Sequence, residues 1–512
     1  MITNPPPAWW RALAGIVSAA GAVGAGHLVA LMLAPASSPL VATASRVVDA
    51  APSGIKNAVI ALLGTADKPA LISAIAVVLA VLAAVAGLIA WTHRRLALGL
   101  VAVLGLVGLV AALAGGGEYL GLTNAVAPLV ATGVGVWALA RFSRPPAEEA
   151  ESLPQQQSGA PTMLRPSRRD LLGGAGLVGV AALAGGASRV PTPVRTAAPP
   201  LPAPTSSAAP IPAGAQVPGA VEFLTPADKF YRVDIALTTP RVDVAGWELV
   251  IDGAVDRPLR LSYDELIAMP MIERTITLAC VSNDVGGPYV STATWLGVPM
   301  SALIERVGVR SGVDQLFSYS SQGGYTCSTP YGPLTDGRDA MIAVGMNGAA
   351  LPDAHGFPAR MVVPGLFGFV SATKWLSRLE FTTYAERSAY WTDRGWVTDS
   401  PVITQTRVDR PAGQGVLPAS DPVLAGTAWA THRGIASVEV QFDEGPWQPA
   451  TLGQSAGDDV WRQWSIRYDG PPGRHTAQVR ATDGTGALQD ERDVPVYPGG
   501  ATGWQQITFT VR

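Results

Sequence analysis

Residues 275–287 read TITLACVSNDVGG, an apolar run that ends in Cys280 and continues into polar and glycine residues. The β-branched and apolar residues before the cysteine predict a strand over Ile272–Cys280. A thiol at the end of a strand is presented to a cleft, where it can act as a soft ligand or a nucleophile. The alternative is a buried cysteine that packs as a small apolar residue.

Three further runs accompany the cysteine in a fixed order. They are MNGAALP at 346–352, HGFPARMVVPG at 355–365 and ATKWL at 372–376. Together with the Cys280 segment they resemble the molybdopterin-binding domain of the sulfite oxidase family. The resemblance extends from about residue 230 to the C-terminus, and it is specific because several motifs agree in order and spacing.

The resemblance implies a molybdenum–molybdopterin cofactor, with the Cys280 thiolate as the metal ligand. It assigns cofactor contacts to one residue set: Tyr231, Arg232, Ser320, His355, Arg360, Ala372, Thr373 and Lys374. Arg360 offers a planar fork to the cofactor's phosphate, and Lys374 offers a point charge. The entry strand departs from the family, because Val233-Asp234 replaces the usual Asn-His pair. Ordinary surface or strand-edge roles are the alternative for each charged residue.

The resemblance also implies a substrate-binding tyrosine, Tyr325, in the segment YTCSTP at 325–330. Sulfite-oxidising members carry arginines just after the ligand cysteine, whereas this chain has NDVGG at 283–287. An acidic residue there opposes a small anion. The family resemblance implies sulfite or a similar sulfur compound as the substrate. The acidic residue makes a neutral S-oxide or N-oxide, such as oxidised methionine, the alternative.

Composition divides the chain into a membrane part and a second part. Hydrophobic residues make up 48% of the 512 residues and charged residues 15%, with the apolar excess before residue 190. The net charge of −3 gives no reason to expect a nucleic-acid partner. Two cysteines form no disulfide framework, although Cys280 and Cys327 could pair in an exported domain.

Four segments have the length and apolarity of membrane-spanning helices. They are Trp10–Leu33, Ala70–Trp91, Leu96–Gly115 and Thr123–Phe142. Arginines flank them on one side of the predicted topology, which predicts that this side is cytoplasmic. These are Arg11, Arg94, Arg95, Arg141 and Arg144.

Residues 167–172, SRRDLL, resemble a twin-arginine export motif inside the chain, and the apolar run Leu171–Ala187 follows. A simple positively charged membrane anchor is the alternative reading. Both readings predict that the C-terminal half lies outside the cytoplasm. Whether the chain is cleaved near 185–187 or kept as a span is left open by the sequence.

The predicted fold has an N-terminal multi-span α-helical membrane region, an α+β molybdopterin-binding domain and a C-terminal immunoglobulin-like β-sandwich. Within the α+β domain, Ser262 and Glu265 predict a capping box at the start of one short helix, and Met300–Val307 is predicted to form another. The predicted boundaries are 1–145 for four helices, 146–190 for the twin-arginine segment and fifth span, 191–218 for a Pro/Ala-rich linker, 219–400 for the oxidoreductase domain, and 401–512 for the sandwich. Alternating strands and turns indicate the sandwich, and the family resemblance implies that it forms a homodimer.

The expected function is that of a membrane-anchored, extracytoplasmic molybdenum oxidoreductase that transfers an oxygen atom to or from a small sulfur compound or N-oxide. A Cys-x-x-Cys-His run is absent and five histidines are present, so we expect no haem and a separate electron-transfer partner. A cysteine-nucleophile enzyme is a weaker alternative, with His355 as its base. A metal-free, membrane-tethered binding or assembly protein is an alternative of another class.

Overall fold

The computed structural model describes residues 6–33, 37–51, 67–114, 123–143, 176–177, 179–180, 200–236, 239–321, 324–413 and 415–512. The chain divides into two compact units, one of 1–193 with 236–238 and one of 194–235 with 239–512. The twin-arginine motif at 167–172 and most of the predicted span at 171–187 lie outside the described residues.

The first unit is helical. Its helices are α1 (Ala8–Leu33), α2 (Pro39–Ala50), α3 (Asp67–Ile89), α4 (Arg94–Leu113) and α5 (Thr123–Phe142). All except α2 are long and apolar enough to cross a membrane, which confirms the four predicted apolar helices. Helix α2 was not predicted. Pro39 is its first residue, a position where the missing N–H costs nothing.

The second unit is rich in sheet. Its first part contains β1 (Glu248–Gly253), β2 (Leu259–Ser262), β3 (Ile272–Ala279), β4 (Val290–Pro299), β5 (Gln315–Ser320), β6 (Thr326–Pro330), β7 (Met341–Met346), β8 (Ala349–Ala350), β9 (Arg360–Val362) and β10 (Leu376–Thr382). One sheet has the order β3-β4-β7-β8, with β9 on β7, and the other has the order β2-β1-β10-β5-β6. Two short helices, α6 (Tyr263–Ile267) and α7 (Met300–Val307), join them.

Local sequence signals account for several of these elements. Ser262 accepts the Glu265 N–H, and the Glu265 carboxylate accepts the Ser262 N–H, which is the predicted capping box of α6. Helix α7 has the predicted bounds. The buried strand residues of both sheets form an apolar core that includes Leu249, Ile342 and Leu379. This core fixes the strand ends that carry the candidate site.

The C-terminal part contains two further sheets. Their strands are β11 (Gln405–Arg410), β12 (Val416–Leu417), β13 (Val423–Trp429), β14 (Ile435–Phe442), β15 (Trp447–Pro449), β16 (Thr451–Leu452), β17 (Arg462–Arg467), β18 (Gly473–Asp483) and β19 (Gln505–Val511). The sheet orders are β11-β13-β17-β16 and β12-β19-β18-β14-β15. Residues from both sheets, among them Trp464 and Val479, share one core. The immunoglobulin-like assignment stays a prediction.

The free edge of β3 is covered by two distant segments. Ser206 pairs with Ile272 in parallel, so part of the predicted linker binds this edge instead of standing free. Further along, the Thr277 N–H donates to Asp459 O at 2.9 Å, and the Trp461 N–H donates to Thr277 Oγ1 at 2.8 Å. Because an uncovered strand edge exposes unpaired backbone groups, both contacts complete the pairing of β3.

Candidate active site

Cys280 begins the connection between β3 and β4, called here the Cys280 turn (residues 280–289). Its N–H donates to Tyr289 O at 2.9 Å, and its carbonyl oxygen accepts the Asn283 N–H at 3.0 Å. The half-buried Sγ accepts the Ser282 N–H at 3.4 Å. Burial raises the pKa of the Cys280 thiol, while Ser282 and Lys374 oppose this rise. A bound metal would favour the thiolate.

The polar residues of the Cys280 turn have different environments. Asn283 is 3% exposed, and its Oδ1 accepts the Tyr289 N–H at 2.7 Å. Among the described residues, its Nδ2 has no hydrogen-bond partner. Asp284 is exposed, and its carboxylate accepts the Val285 N–H. The turn therefore combines one buried amide donor with one solvent-facing carboxylate.

Arg360, at the start of β9, is a buried cation with 5% exposure. Its Nη1 donates to His355 O at 3.2 Å, and its guanidinium carbon lies 4.8 Å from the centre of the Trp295 ring. Burial lowers the pKa of Arg360 to about 10. In the part of the chain that the structure describes, no carboxylate forms an ion pair with it. An uncompensated buried charge is costly, so this environment suits an anionic ligand.

Lys374 is the second buried cation, and it does have a carboxylate partner. Its Nζ lies 2.7 Å from Asp234 Oδ2, and the two side chains are 11% and 5% exposed. The half-exposed Arg232 reaches the same oxygen with its Nε at 2.9 Å. Burial lowers the pKa of Lys374 to about 8, although Asp234 opposes this shift. One carboxylate therefore holds two of the predicted cofactor-binding cations together.

A glycine allows the HGFP segment to approach the KWL segment. Gly356 has φ +107°, and a Cβ at this position would lie 2.9 Å from Lys374 Cβ. Its carbonyl oxygen accepts the Trp375 N–H at 3.2 Å. A side chain there would be strained and would push the two segments apart. This contact brings two motifs that are separate in sequence to one place.

The loop before Lys374 meets the end of β3. A Cβ at Gly368 would lie 3.6 Å from Ala372 Cβ and 3.8 Å from both the Ala279 carbonyl oxygen and the Tyr231 hydroxyl, so these groups surround the glycine. The Ala372 N–H donates to Gly368 O at 2.9 Å. The buried Thr373 hydroxyl is hydrogen-bonded to Ser318 at 2.7 Å. Tyr231, Ala372 and Thr373 thus belong to the same region as Cys280.

His355 is buried and Tyr231 is partly buried, and both rings pack on Phe230. The His355 Nε2 atom lies 2.6 Å from Ala227 O, and burial lowers the pKa of His355 to about 4. His355 is therefore neutral near pH 7 and donates its Nε2 proton to that carbonyl group, which leaves it poorly suited to act as a base. Burial, followed by the neighbouring Cys280, raises the pKa of Tyr231, which stays protonated.

Ser320 and Tyr325 lie on the hairpin of β5 and β6. The Ser320 N–H donates to Tyr325 O at 3.0 Å. The Tyr325 hydroxyl donates to Phe369 O at 3.4 Å, and burial raises the pKa of Tyr325 well above its usual value. Cys280 and Cys327 contribute to the same rise and are both free thiols. Tyr325 is therefore a protonated donor near Cys280.

Aromatic side chains extend outward from Tyr325. Adjacent ring centres are 5.0 to 5.8 Å apart in a connected set of Tyr325, Tyr390, Trp391, Trp396 and Phe369. The guanidinium carbon of Arg394 lies 3.6 Å from the centre of the Tyr390 ring. This aromatic set was not predicted, although the run YWTDRGW at 390–396 contains three of its five residues.

The predicted residues therefore occupy one region of the second unit, with Cys280 and Tyr231 near its centre. Three contributors were missed by sequence reasoning. Asp234 was noted only as a departure from the family, and neither Trp295 nor Asn283 was assigned to the site. Asp234 and Trp295 lie far along the chain from Lys374 and Arg360, so no local signal pointed to them.

Comparisons with known proteins agree with this geometry. Residues 236–391 match the model of the oxidoreductase molybdopterin binding domain. Sulfite oxidase from Gallus gallus is 28% identical over 54% of this chain and 70% of its own length. The chain is thus similar to molybdopterin oxidoreductases of the sulfite oxidase family.

Other similar proteins have names that refer to different substrates. NADH nitrate reductase from Solanum lycopersicum is 26% identical over 53% of this chain and 36% of its own length. Mouse mitochondrial sulfite oxidase is 26% identical over 54% of this chain and 59% of its own length. The sulfane dehydrogenase SoxCD from Paracoccus pantotrophus gives a TM-score of 0.49 at 22% identity, over 56% of this chain and 81% of that chain.

A sulfite oxidase family domain implies a molybdenum cofactor, and the residues present fit one. The site offers a half-buried thiol at Cys280 and a buried guanidinium at Arg360 that lacks a protein carboxylate partner among the described residues. A thiol suits molybdenum, and a guanidinium suits a phosphate group. Cys280 would therefore suit the metal of the cofactor, and Arg360 would suit its phosphate group.

Proposed function

We propose that this protein is a membrane-anchored, extracytoplasmic molybdenum enzyme in which Cys280 is the protein ligand of the metal. The bound cofactor supplies two-electron oxygen-atom transfer. The observation that carries the proposal is the buried Arg360 guanidinium, which has no carboxylate partner in the described part of the chain and lies in the same region as Cys280.

The remaining predicted contacts divide between the two ends of the cofactor. Arg360, Lys374 and the backbone of Ala372 and Thr373 would hold the phosphate. A second group would contact the pterin: Tyr231, Arg232, Ser320 and His355. Because His355 is neutral and donates its Nε2 proton to a carbonyl group, only its Nδ1 remains as an acceptor for the pterin.

Tyr325 would orient the substrate. Its hydroxyl proton is retained because burial raises the pKa of the phenol. A protonated phenol can donate a hydrogen bond to an oxygen atom that is being transferred, and such a donor stabilises developing charge. Tyr325 therefore acts as a hydrogen-bond donor rather than as a general base.

The aromatic set favours a neutral substrate over an inorganic anion. Sulfur atoms of thioethers make favourable contacts with aromatic rings. The Cys280 turn carries Asp284 and no arginine, which reduces the attraction for sulfite. We therefore favour reduction of an S-oxide or N-oxide, in which two electrons and two protons release water. Oxidation of sulfite or a related sulfur compound is the second candidate, supported by the named relatives.

The cellular setting follows from the sequence. Four apolar helices would anchor the chain in a lipid bilayer, with the flanking arginines on the cytoplasmic side. The fifth apolar run, at 171–187, would then carry the chain across the bilayer once more. The second unit would therefore lie outside the cytoplasm, receive or deliver electrons through a separate partner, and dimerise through residues 401–512.

Metal analysis of the full-length protein, produced in a host that makes molybdopterin, tests the proposal. We expect about one molybdenum atom per chain, as single-cysteine ligation requires, and its loss in Cys280→Ser. Cys327→Ser is the matched control, because Cys327 is the other free cysteine and is fully buried. A folded wild-type protein without molybdenum would overturn the proposal and favour a metal-free binding protein.

A further inference from the structure

Arg407 in β11 contacts the Cys280 turn from the C-terminal part of the same unit. Its Nη1 donates to Gly287 O at 3.0 Å, and its Nε donates to Asp409 Oδ1 at 2.8 Å. Arg407 is 8% exposed, and the Asp409 side chain is 5% exposed. The buried Asp409 carboxylate therefore fixes the guanidinium group through Nε, and the Nη1 atom of the same guanidinium group binds the Cys280 turn.

Gln505 in β19 contacts the same turn one residue earlier. Gly286 has φ +73°, and a Cβ there would lie 2.3 Å from Gln505 Nε2, so the Gln505 side chain packs directly on the glycine backbone. Gln505 Oε1 in turn accepts the Val408 N–H at 2.6 Å. Strands from both C-terminal sheets thus meet at the tip of the Cys280 turn.

Hydrogen bonds connect this tip to the cysteine. The Gly287 N–H donates to Asp284 O at 2.8 Å, and the Asn283 N–H donates to Cys280 O at 3.0 Å. Asn283 Oδ1 accepts the Tyr289 N–H, and Tyr289 O accepts the Cys280 N–H. A displacement of Gly287 would therefore change the position of the Cys280 backbone.

We propose that Arg407 is a positioning residue that holds the Cys280 turn, and with it the thiol, in the geometry required for metal ligation. The inference rests on the proposed role of Cys280 as the metal ligand. Arg407 does not contact the thiol. It acts through Gly287 and the backbone of the turn, as groups outside the coordination sphere commonly orient metal ligands.

Arginine suits this role because one side chain must serve two acceptors at fixed angles. Its planar fork reaches Asp409 with Nε and Gly287 with Nη1, whereas lysine offers a single mobile charge. Asp409 is itself held, because its Oδ2 accepts the Thr427 hydroxyl group. We call Arg407, with its contacts to Asp409 and Gly287, the clamp. Its Asp409 side is fixed by the hydrogen bond from Thr427.

The test compares Arg407→Gln with Arg462→Gln in the full-length protein. Arg462 is a matched control, since it also donates to backbone carbonyl groups, those of Gly453 and Ile435, within the C-terminal sheets. In metal-free protein, we expect amide hydrogen exchange of residues 280–289 to become about tenfold faster in Arg407→Gln only. In molybdenum-loaded protein, the thiolate-to-metal absorption band should shift in Arg407→Gln only.

Breaking the buried Arg407–Asp409 pair can prevent folding, so Gln505→Ala provides a second variant that leaves this pair intact. Gln505→Ala should also accelerate the amide hydrogen exchange of residues 280–289 in the metal-free protein. Unchanged exchange in Gln505→Ala and in any folded Arg407→Gln would overturn the clamp. Because exchange is measured without metal, its result is independent of whether the wild-type protein binds molybdenum, and the two proposals can fail separately.

Discussion

The guanidinium group of Arg360 stacks on the indole ring of Trp295, with 4.8 Å between the guanidinium carbon and the ring centre. A cation–π contact compensates only part of the cost of burying a charge. The protein therefore maintains a buried positive charge that an incoming anion would stabilise. In the metal-free protein this charge is a source of instability.

Replacement of Arg360 should affect stability and cofactor content in opposite directions. We expect Arg360→Met to leave the melting temperature of the metal-free protein unchanged or higher, because the uncompensated charge is removed. Molybdenum content should fall at least about tenfold, the effect of losing one charge-assisted contact. Thermal unfolding and metal analysis measure both quantities on one preparation.

Arg378→Met is the control for this experiment. Arg378 also lies over a ring, that of Tyr319 at 5.0 Å, but its Nε is paired with Asp252 at 3.0 Å. Its loss should leave the molybdenum content intact and lower the melting temperature slightly. A marked loss of stability in metal-free Arg360→Met would contradict the assignment of Arg360 to an anion site.

The pH dependence of stability should contain a contribution from His355. Its pKa is about 4 in the folded protein, and the ordinary value is 6.5. The unfolded chain therefore takes up a proton first as the pH falls, and stability is lost between about pH 6.5 and pH 4, by about 3 kcal/mol in total. His355→Gln keeps a donor for the Ala227 carbonyl group.

Melting temperatures of wild type and His355→Gln, measured from pH 4 to pH 7, test this contribution. The wild type should lose stability relative to the variant as the pH falls through the window. Parallel curves would mean that His355 titrates normally in the folded state, and the buried environment assigned to it would be wrong.

Tyr325→Phe should slow turnover without removing the metal. The variant keeps the ring that packs on Tyr390 at 5.8 Å and removes only the hydroxyl donor. We expect kcat/KM to fall by about 10- to 1,000-fold, the range for loss of one preorganised donor. Steady-state kinetics with a sulfoxide, normalised to molybdenum content, provide the measurement.

Tyr319→Phe is the comparison for that variant, because the Tyr319 hydroxyl donates to Glu380 and the residue lies on the same hairpin. Its normalised activity should equal that of the wild type. If both tyrosine variants lose activity equally, a general effect on the hairpin explains the result better than a substrate contact of Tyr325.

Substrate choice should respond to residue 284. Asp284 is exposed, and its carboxylate accepts the Val285 N–H, so Asp284→Arg should fold. Placing a cation in the turn after Cys280 should raise kcat/KM for sulfite by about tenfold through charge attraction, most strongly at low salt. Activity with a neutral sulfoxide should change little. Asp284→Asn separates removal of the negative charge from addition of the positive one.

Local patterns in the sequence were sufficient for much of the fold. The four long apolar helices, the capping box at Ser262 and helix α7 have the predicted positions, because each depends on residues adjacent in the chain. Helix α2 was missed, since its apolar residues were assigned to a loop between spans. The roles of the site residues, including Cys280 and Tyr325, stay predictions.

Contacts across long separations could not be predicted in the same way. Asp234 meets Lys374, and Arg407 meets Gly287, over more than a hundred residues of chain. Nothing near Asp234 in the sequence indicates a buried lysine partner. Within the predicted Pro/Ala-rich linker at 191–218, Ser206 pairs with Ile272 of β3, a contact that the composition of the linker could not indicate.

The coverage of β3 has a consequence for biosynthesis. The strand that leads to Cys280 obtains hydrogen bonds from Asp459 and Trp461, and the turn after it is contacted by Gln505. These residues are translated long after the strand itself. A nascent chain that ends before them lacks these contacts around Cys280, so we expect the cofactor to be inserted only after residue 505 has been translated.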